Sequence, residues 1–485
     1  MIEVKVNGGN FEYDIHSLVK AFYPGEEVLV REKGEFTEDA PLQMDVSVGD
    51  KEIQFQLFEE RAFQKKGHVY VENPDRRMVK NQLKRLIYQV LSEYTGKTLP
   101  WGTLTGIRPV KIPMALLEEG KSNVEIADFM RKTYLCSDAK TALTVSIANR
   151  EREVLKEIDY REGYSLYVGI PFCPSICLYC SFSSSPVNRW KKRMEEYLST
   201  LFRELKFLGE VFQGRKLNTI YVGGGTPTTL TAEQLNRLLD CLEKHFDYSY
   251  LKELTVEAGR PDSVTPEKFR VLKRHGVTRV SVNPQTMNQK TLDLIGRQHT
   301  VEQTREAYWM AREAGFDNIN MDLIVGLPGE DLEEVHRTME ELRVLDPDSI
   351  TVHSLAIKRA ARLKLFQEKY QEMGLHNSQE IMDLTYRYCA EQQVYPYYLY
   401  RQKNIAGNFE NVGYAKVDKA GIYNILIMEE KQTILAAGAG GASKFVLRPD
   451  RIERVENVKD VAQYMARIDE MMERKRSFLK ASDLW

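Results

Sequence analysis

Cys173-Pro-Ser-Ile-Cys177-Leu-Tyr-Cys180 places three cysteines within eight residues, directly after an apolar run. Thiolates are the soft ligands that iron–sulfur clusters require. Three closely spaced thiolates can hold three corners of a 4Fe–4S cube, which leaves the fourth iron without a protein ligand. That iron can then bind a small molecule and pass it an electron. We therefore predict a 4Fe–4S cluster with one open position at Cys173, Cys177 and Cys180.

A structural zinc site is the alternative interpretation of this motif. Zinc sites usually take four protein ligands, commonly as two spaced pairs. The chain has no second Cys-x-x-Cys pair, and Cys136, Cys241 and Cys389 stand alone. A disulfide framework is also untypical of so long a chain with six scattered cysteines. These features favour the cluster.

The composition is that of a globular protein. The chain has 485 residues, of which 42% are hydrophobic and 28% charged, with a formal net charge of -2. This length suggests about two or three domains, and the charge indicates no bulk attraction to nucleic acid or acidic membranes. No apolar run reaches the roughly 18–20 residues that cross a bilayer. The first residues lack a signal peptide's apolar core, so we expect a cytoplasmic protein without a membrane partner.

Apolar runs alternate with amphipathic patterns over residues 164–357. The predicted strands are Tyr164–Phe172, Asn218–Gly223, Glu253–Glu257, Arg279–Val282, Asn320–Val325 and Ser349–Leu355. The predicted helices between them include Thr231–Phe246, Pro266–His275 and Asp331–Leu345. Such alternation indicates parallel β/α units. Six units are too few to close an eight-stranded barrel, so we predict an α/β fold with a partial (β/α)6 TIM-type barrel.

Two regions flank this core, which we place at residues 161–357. Residues 1–160 form a predicted α+β domain of unknown role, with strand-like alternation at Ile2, Val4 and Val6 and a helix at Arg76–Tyr94. Residues 358–485 form a smaller α+β region that we expect to cover the substrate. Its predicted helices are Leu363–Met373, Ser378–Gln392 and Val458–Lys475, and its predicted strands are Tyr395–Tyr400 and Tyr423–Met428.

One basic run lies in the first domain. Arg61–Arg85 holds eight Lys or Arg residues and two acidic residues. Such a run is more typical of a solvated helix face than of a site for RNA or an acidic partner, and we interpret it so.

Further polar motifs occur at or near the predicted strand ends. Val222-Gly-Gly-Gly-Thr226 follows the second strand, where glycines let the backbone approach a ligand and exposed amides can bind a carboxylate. Asp322 lies within an apolar strand, and a buried acid needs partners such as ribose hydroxyls. Arg297 offers a fork to a carboxylate, with a surface ion pair as the alternative. Because active sites of parallel barrels collect at the carboxyl ends of the strands, we expect one shared site.

The cysteine spacing after a strand resembles the signature of the radical S-adenosylmethionine (SAM) superfamily. Within it, the chain resembles the oxygen-independent coproporphyrinogen III oxidase family, and most of all its HemZ-like branch. The barrel motifs that carry this resemblance are Tyr167-Val-Gly-Ile-Pro-Phe-Cys173, Gly223-Gly-Gly-Thr-Pro-Thr228, Glu257, Gln285, Gly296-Arg-Gln-His-Thr300 and Asp322-Leu-Ile-Val-Gly-Leu-Pro328. The flanking motifs are Trp101-Gly-Thr-Leu-Thr-Gly-Ile-Arg-Pro109 and Tyr397-Tyr-Leu-Tyr-Arg-Gln-Lys-Asn404.

This resemblance implies the cofactors, the reaction and the site. The cofactors are a 4Fe–4S cluster and SAM, which chelates the open iron. The reaction is the oxidative decarboxylation of coproporphyrinogen III, a tetrapyrrole, to protoporphyrinogen IX in heme biosynthesis, with an electron donor such as flavodoxin or ferredoxin. Tyr167 is implied as the catalytic residue beside SAM and the cluster. The implied SAM contacts are Tyr167, Tyr179, Gly224, Gly225, Thr226, Glu257, Gln285, Arg297, Asp322 and Ala356.

Three positions depart from the patterns of related branches. Phe182 stands where the best-known branch has a further cysteine, and Gly169 where it has a histidine. The heme-chaperone branch carries a histidine–asparagine motif, matched here only by Tyr423-Asn424. A heme-binding or heme-transfer protein, or a radical SAM enzyme acting on another tetrapyrrole or on RNA, therefore stays an alternative. Cations expected to bind substrate carboxylates are Lys358, Arg359, Arg362, Arg401 and Lys403.

Overall fold

The computed structural model divides into two compact units, Met1–Asn149 and Arg150–Trp485. It describes residues 1–32, 36–37, 40–182, 184–356, 377–402, 409–448 and 451–482. The predicted helix Leu363–Met373 and the substrate candidates Lys358, Arg359, Arg362 and Lys403 lie outside the described residues. No helix in the described part of the chain combines the length and apolar character needed to cross a membrane.

The first unit is built on a five-stranded sheet. Its strands are β1 (Ile2–Asn7), β2 (Val28–Arg31), β3 (Leu42–Val48), β4 (Glu52–Glu59) and β5 (Ala62–Tyr70), in the order β2-β1-β3-β4-β5. The helices are α1 (Glu12–Phe22), α2 (Arg76–Thr95), α3 (Lys111–Glu118) and α4 (Asn123–Tyr134), and α5 (Asp138–Leu155) runs past the end of this unit at Asn149. Ile2, Val4 and Val6 are buried on one face of β1 and pack with α1 and α2, as their spacing predicts.

The second unit contains an eleven-stranded sheet. Six of its strands are those that the sequence predicts: β6 (Gly163–Ile170), β9 (Lys216–Gly224), β10 (Glu253–Glu257), β11 (Arg279–Ser281), β12 (Ile319–Val325) and β13 (Ser349–Ser354). They are neighbours in chain order and all parallel. The predicted partial (β/α)6 barrel is therefore confirmed. The short strands β7 (Phe172–Cys173) and β8 (Ser185–Pro186) pair with each other.

Helices connect these strands. They are α6 (Met194–Val211), α7 (Ala232–His245), α8 (Pro266–Arg274), α9 (Gln289–Leu294), α10 (Val301–Glu313) and α11 (Leu332–Leu345). On α7 the residues Leu235, Leu238, Leu239 and Leu242 are buried, as the helical spacing predicts. Thr231 and Gln234 form a capping box that fixes where α7 begins.

The region after the barrel adds strands to both ends of the same sheet. Its elements are α12 (Gln379–Glu391), β14 (Tyr395–Tyr400), β15 (Asn411–Ala415), α13 (Ile422–Glu429), β16 (Thr433–Ala437), β17 (Ala442–Arg448), β18 (Arg451–Glu456), α14 (Val461–Ala466) and α15 (Ile468–Ala481). β15 pairs antiparallel with β13, and β16 pairs parallel with β6. The C-terminal region and the barrel therefore share one sheet.

Two predictions for this region were wrong. Tyr423–Met428 lies in the helix α13, because a short apolar run buried on several sides fits a helix as well as a strand. Glu430, with φ 54°, ends that helix in the left-handed conformation. The single helix predicted at Val458–Lys475 is two helices, α14 and α15, which are separated at Arg467.

A buried ion pair ties α15 to α6. The Lys475 ammonium lies 2.6 Å from a carboxylate oxygen of Glu204, and neither side chain is exposed. The other Glu204 oxygen accepts from the Tyr464 hydroxyl at 2.6 Å and from the Gly438 amide at 2.8 Å. Gly438, with φ 97°, lies against β6, since a Cβ there would be 2.5 Å from the Gly169 carbonyl oxygen. The C-terminal helix thus supports the strand that leads to the cysteines.

Lys475→Met should destabilise the second unit strongly, because it leaves the Glu204 carboxylate buried without its cation. We expect the free energy of unfolding to fall by about 3–5 kcal/mol, measured by urea denaturation. Lys206→Met on α6 is the matched control. Its exposed pair with Glu210 spans 3.8 Å, and its loss should cost less than about 1 kcal/mol. Equal losses for the two variants would contradict a supporting role for the buried pair.

Candidate functional site

A cavity of about 490 Å³ lies at the carboxyl ends of the parallel strands. Its lining includes the thirteen residues that the sequence predicts for the cluster and SAM: Tyr167, Cys173, Cys177, Tyr179, Cys180, Gly224, Gly225, Thr226, Glu257, Gln285, Arg297, Asp322 and Ala356. They come from seven separate segments of the chain. The structure therefore brings the predicted residues together, and their individual roles stay predictions.

The cysteine loop, residues 173–180, is held against the turn at Ile295-Gly296. The Leu178 amide donates to the Ile295 carbonyl at 3.0 Å, and the Ser175 hydroxyl donates to the Gly296 carbonyl at 3.2 Å. All six cysteines of the chain are free thiols. Burial raises the pKa of the Cys173 and Cys180 thiols, so a bound metal would have to displace their protons.

The glycine loop, residues 223–226, is hydrogen-bonded to the residues that lead into the cysteine loop. The Gly225 amide donates to the Ile170 carbonyl at 2.8 Å, and the Thr226 amide donates to the Phe172 carbonyl at 2.7 Å. A Cβ at residue 225 would lie 2.6 Å from the Phe172 carbonyl oxygen, so this approach requires glycine. The Thr226 hydroxyl also donates to the Cys173 sulfur at 3.5 Å. The two loops therefore form one rigid element.

Three tyrosines form a stack along one wall of the cavity. The Tyr221 ring lies parallel to Tyr423 at 4.6 Å and to Tyr167 at 6.3 Å between ring centroids. The Tyr221 hydroxyl donates to Glu257 Oε1 at 2.5 Å. Sequence reasoning missed Tyr221, because an aromatic residue inside an apolar strand is usually a core residue. Its stacking fixes the position of the Glu257 carboxyl.

The pKa of the Glu257 carboxyl is well above its ordinary value. Burial raises its pKa from 4.5 to about 7, and the nearby Asp322 charge acts in the same direction. The hydrogen bonds from Tyr221 and from the Gly224 amide oppose this rise. A carboxyl group that titrates near neutral pH in a cavity is typical of a functional position.

Arg297 presents an unsatisfied donor. Its guanidinium is buried and donates to the Gly259 carbonyl at 2.7 Å and to the Tyr179 hydroxyl at 3.3 Å. Its Nε–H is buried without a hydrogen-bond partner among the described residues. Because buried donors are nearly always paired, this N–H indicates a missing acceptor, such as a ligand carboxylate or hydroxyl.

Gln285 and Asp322 are held side by side by the backbone. Gln285 has φ 68°, a left-handed conformation that few non-glycine residues adopt. Its amide donates to the Asp322 carbonyl at 2.9 Å, and its carbonyl accepts from the Ile324 amide at 2.9 Å. These bonds attach Gln285 to β12 as an isolated parallel bridge and hold it in the lining of the cavity.

Asp322 keeps its charge despite burial. Burial acts to raise its pKa, but the nearby His353 ring and the hydrogen bond from Asn320 outweigh it, so that the pKa is lowered. The Asn320 amide donates to Asp322 Oδ1 at 2.6 Å, and His353 Nε2 lies 3.9 Å from Oδ2. The other His353 nitrogen lies 3.2 Å from the Tyr400 hydroxyl. His353 also lines the cavity, and sequence reasoning missed it because it lies within a predicted core strand.

Arg260 is a second residue that sequence reasoning missed. Its guanidinium forms a fork with Asp262 at 2.9 and 2.8 Å. It also donates to the Ser175 carbonyl at 3.2 Å and to the Cys177 sulfur at 3.7 Å. Arg260 lies in the turn after β10, where an Arg-Pro-Asp sequence is an ordinary turn signal. It thus places a buried positive charge beside one predicted cluster ligand.

The region after the barrel supplies much of the remaining lining. Its contributions are Tyr398, Tyr400, Gln402, Asn411, Tyr423, Asn424, Ile427 and Met428. Arg401 is buried but is not among the lining residues, whereas its neighbours Tyr400 and Gln402 are. Phe182 lines the cavity, and a side chain in place of Gly169 would meet the Ala437 carbonyl oxygen at 3.3 Å.

These residues fit a cluster and SAM. Three free thiols in one wall supply the soft ligands of a cluster. Beside them, the glycine loop brings the backbone of Gly224 and Gly225 to the cavity, and Arg297 offers its unpaired N–H. The carboxyl groups of Glu257 and Asp322 can accept hydrogen bonds from ribose hydroxyls.

Known proteins share this core and its flanks. The sequence model of the radical SAM superfamily matches residues 167–342. The chain is 37% identical over 494 residues to the oxygen-independent coproporphyrinogen-III oxidase-like protein HemZ of Bacillus subtilis, covering 99% of this chain and 98% of that protein. The similarity to HemZ thus extends over both units.

Other relatives match a smaller part of the chain. Heme chaperone HemW of Bacillus subtilis is 37% identical over 195 residues, which cover 40% of this chain and 51% of HemW. The oxygen-independent coproporphyrinogen III oxidase of Escherichia coli is 30% identical over 220 residues, which cover 45% of this chain and 47% of the oxidase. The solved structure of coproporphyrinogen III oxidase (HemN) from Escherichia coli has a TM-score of 0.52 at 23% identity, covering 66% of this chain and 73% of HemN. That likeness shows a shared fold.

The ionisation of Glu257 should lower stability as the pH rises. Its pKa is 4.5 in the unfolded chain and about 7 in the folded protein. The stabilising contribution of the protonated Glu257 carboxyl is therefore fully present below pH 4.5, and it is lost as the pH rises to about 7. We expect the wild type to lose about 3 kcal/mol relative to Glu257→Gln over this range, measured by urea denaturation of protein without cluster or SAM. Glu233→Gln, an exposed control on α7, should follow the wild type, and a parallel profile for Glu257→Gln would contradict the assignment.

Arg260→Gln should make a cluster at the three cysteines harder to reduce, because a positive charge and an N–H···S bond to Cys177 are lost. Hydrogen bonds to the sulfurs help set the potential of iron–sulfur clusters. We expect the midpoint potential to fall by about 60 mV, the one-electron equivalent of about 1.4 kcal/mol, measured by a redox titration followed by electron paramagnetic resonance. Arg260→Lys should shift it less, and Arg237→Gln on α7 should not shift it. An unchanged potential in Arg260→Gln would show that Arg260 acts on Asp262 alone.

Proposed function

Because the chain belongs to the radical SAM superfamily and, within it, to the HemZ family of coproporphyrinogen-III oxidase-like proteins, we propose that it decarboxylates coproporphyrinogen III oxidatively without oxygen. The product would be protoporphyrinogen IX, in heme biosynthesis. The superfamily uses a 4Fe–4S cluster and SAM. The free cysteines suit a reducing cytoplasm as the site of this reaction.

One observation carries this proposal. The cavity is continuous from the three cysteines to an aromatic wall formed by Tyr398, Tyr400 and Tyr423, with Ile427 and Met428 beside it. Aromatic and thioether side chains suit contact with the individual pyrrole rings of a tetrapyrrole. A substrate against this wall would share one cavity with SAM, as a direct transfer of a hydrogen atom between them requires.

The chain's own residues have distinct proposed roles. Cys173, Cys177 and Cys180 would hold the cluster, which supplies, when bound, the electron that cleaves SAM. Arg297 would donate its free N–H to a polar group of SAM, and the glycine loop would offer backbone groups to its methionine end. Tyr167 would contact SAM beside the cluster, and Tyr179, held by Arg297, would shelter the adenine.

The acids of the site would orient the ribose. Asp322 stays ionised and has acceptor capacity beyond its bond to Asn320. Glu257 is fixed by Tyr221 and titrates near pH 7. Gln285, next to Asp322 on the same strand edge, would add an amide. The reaction would thus depend on a preorganised ligand position that this chain's hydrogen bonds define.

A heme-binding or heme-transfer protein is the second candidate. It is supported by the similarity to heme chaperone HemW. In the described part of the cavity the lining histidine is His353, and both its nitrogens face Tyr400 or Asp322. Tyr423 and Asn424 lie where a histidine–asparagine pair is expected in that branch. Among the described lining residues, a ligand to heme iron would then be another residue, such as Met428. This arrangement favours the enzyme.

The proposal predicts coupled products in an anaerobic assay. With reconstituted cluster, reductant, SAM, coproporphyrinogen III and an added electron acceptor, 5′-deoxyadenosine and protoporphyrin should form together, as measured by chromatography. Cys177→Ala should lower both by at least about 100-fold, because it removes a cluster ligand. Cys241→Ala, a free cysteine on α7, is the matched control and should retain both products.

Two other outcomes would contradict the proposal. Deoxyadenosine without protoporphyrin would keep the SAM chemistry and direct the search to another tetrapyrrole. A stable heme Soret band in the purified protein, without any porphyrin product, would favour heme transfer.

A further inference from the structure

A basic segment lies beside the cysteine loop. We call this stretch, Arg189-Trp-Lys-Lys-Arg193, the basic segment. Its four cations are all exposed. Arg193 pairs with Glu196 at 2.8 Å. For Arg189, Lys191 and Lys192, the described part of the chain offers no ion pair. Three unpaired cations next to one another are unusual for a chain whose net charge is -2, and sequence reasoning did not single them out.

The strand pair β7–β8 places this segment next to the cluster ligands. Cys173 of β7 pairs with Pro186 of β8, and the basic segment begins three residues later. Its Lys191 borders a surface groove of about 420 Å³, whose lining also includes Pro174. Pro174 directly follows Cys173, which lines the cavity. A single loop therefore separates the cavity from this outer groove.

The charges around the groove are positive overall. The carboxylate that lines it, Asp262, is paired with Arg260 at 2.8 Å. The nearest acids on α6 are also paired, Glu195 with Arg237 at 2.7 Å and Glu196 with Arg193 at 2.8 Å. Lys191 and Lys192 are therefore left to attract an external anionic surface. A patch of one sign attracts an oppositely charged partner and speeds their association.

The proposed cluster must receive electrons while its cavity holds SAM and substrate. A donor cannot then enter through the cavity. An electron can instead cross the chain at Cys173-Pro174, where Pro174 lines the outer groove and Cys173 lines the cavity. We propose that the groove and the basic segment form the docking surface for an acidic one-electron carrier, a flavin or iron–sulfur protein. In this step the carrier loses one electron and the cluster gains one, with no bond made or broken. The inference rests on the cluster of the proposed function, and it does not depend on the porphyrin substrate.

Charge reversal at Lys191 and Lys192 tests this surface. Stopped-flow absorbance under anaerobic conditions would follow reduction of the reconstituted cluster by reduced flavodoxin at low ionic strength. We expect K191E/K192E to lower the second-order rate constant about ten-fold or more. The wild-type rate should fall with added salt, and the rate of the variant should not. Dithionite, which needs no docking surface, should reduce both proteins equally.

Two further variants separate docking from general effects. K252E/K273E makes the same charge change on exposed residues at the opposite, amino-terminal end of the strands, and it should stay within about two-fold of the wild type. K191Q/K192Q removes the cations without adding acids, and it should lower the rate less than charge reversal does. It also replaces K191E/K192E if that variant fails to take up iron.

Three results would overturn the proposal. An unchanged flavodoxin rate in K191E/K192E would place donor docking elsewhere. An equal loss in K252E/K273E would assign the effect to net charge. Loss of single-stranded RNA binding in K191E/K192E, with flavodoxin kinetics unchanged, would assign the surface to nucleic acid. Because each result concerns cluster reduction or RNA binding, none of them depends on whether protoporphyrin is formed.

Discussion

Two backbone hydrogen bonds between the cysteine loop and the glycine loop determine the rest of the site. They join Gly225 to Ile170 and Thr226 to Phe172, at 2.8 and 2.7 Å. They form because residue 225 has no Cβ, so the strand ends of β6 and β9 can meet. With the two loops fused, the thiols and the glycine amides share one frame. A cluster and SAM bound as we propose would thus receive their positions mainly from the main chain.

The buried charged and ionisable groups around the cavity each have partners, and some of them keep hydrogen-bonding capacity that no group in the described part of the chain uses. Arg297 uses two of its N–H groups internally and leaves a third unpaired. Asp322 is kept ionised by His353 and Asn320. Burial raises the pKa of Glu257 to about 7. Such groups are costly to bury without a partner, so a bound polar molecule that pairs with them would offset that cost.

Sequence alone predicted the six parallel strands, because near-continuous apolar runs separated by amphipathic helices have few other solutions. It also predicted thirteen residues that line the cavity, because their motifs follow those strands. It missed Arg260, His353 and Tyr221, whose importance comes from contacts with Cys177, Asp322 and Glu257 that are distant in the chain. It mistook the helix at Tyr423–Met428 for a strand, because a short buried apolar run has no decisive period.

The pairing of Lys475 with Glu204 also bears on when the site can be assembled in a cell. The two residues are 271 positions apart in the chain. At about 5–20 residues per second, a ribosome needs roughly 14–54 seconds to pass from one to the other. For most of that interval the cysteine loop already exists while Gly438 does not, and the Lys475 partner of Glu204 is added last. If a cluster is inserted only into the fully braced site, as we expect, its insertion would follow the synthesis of Lys475.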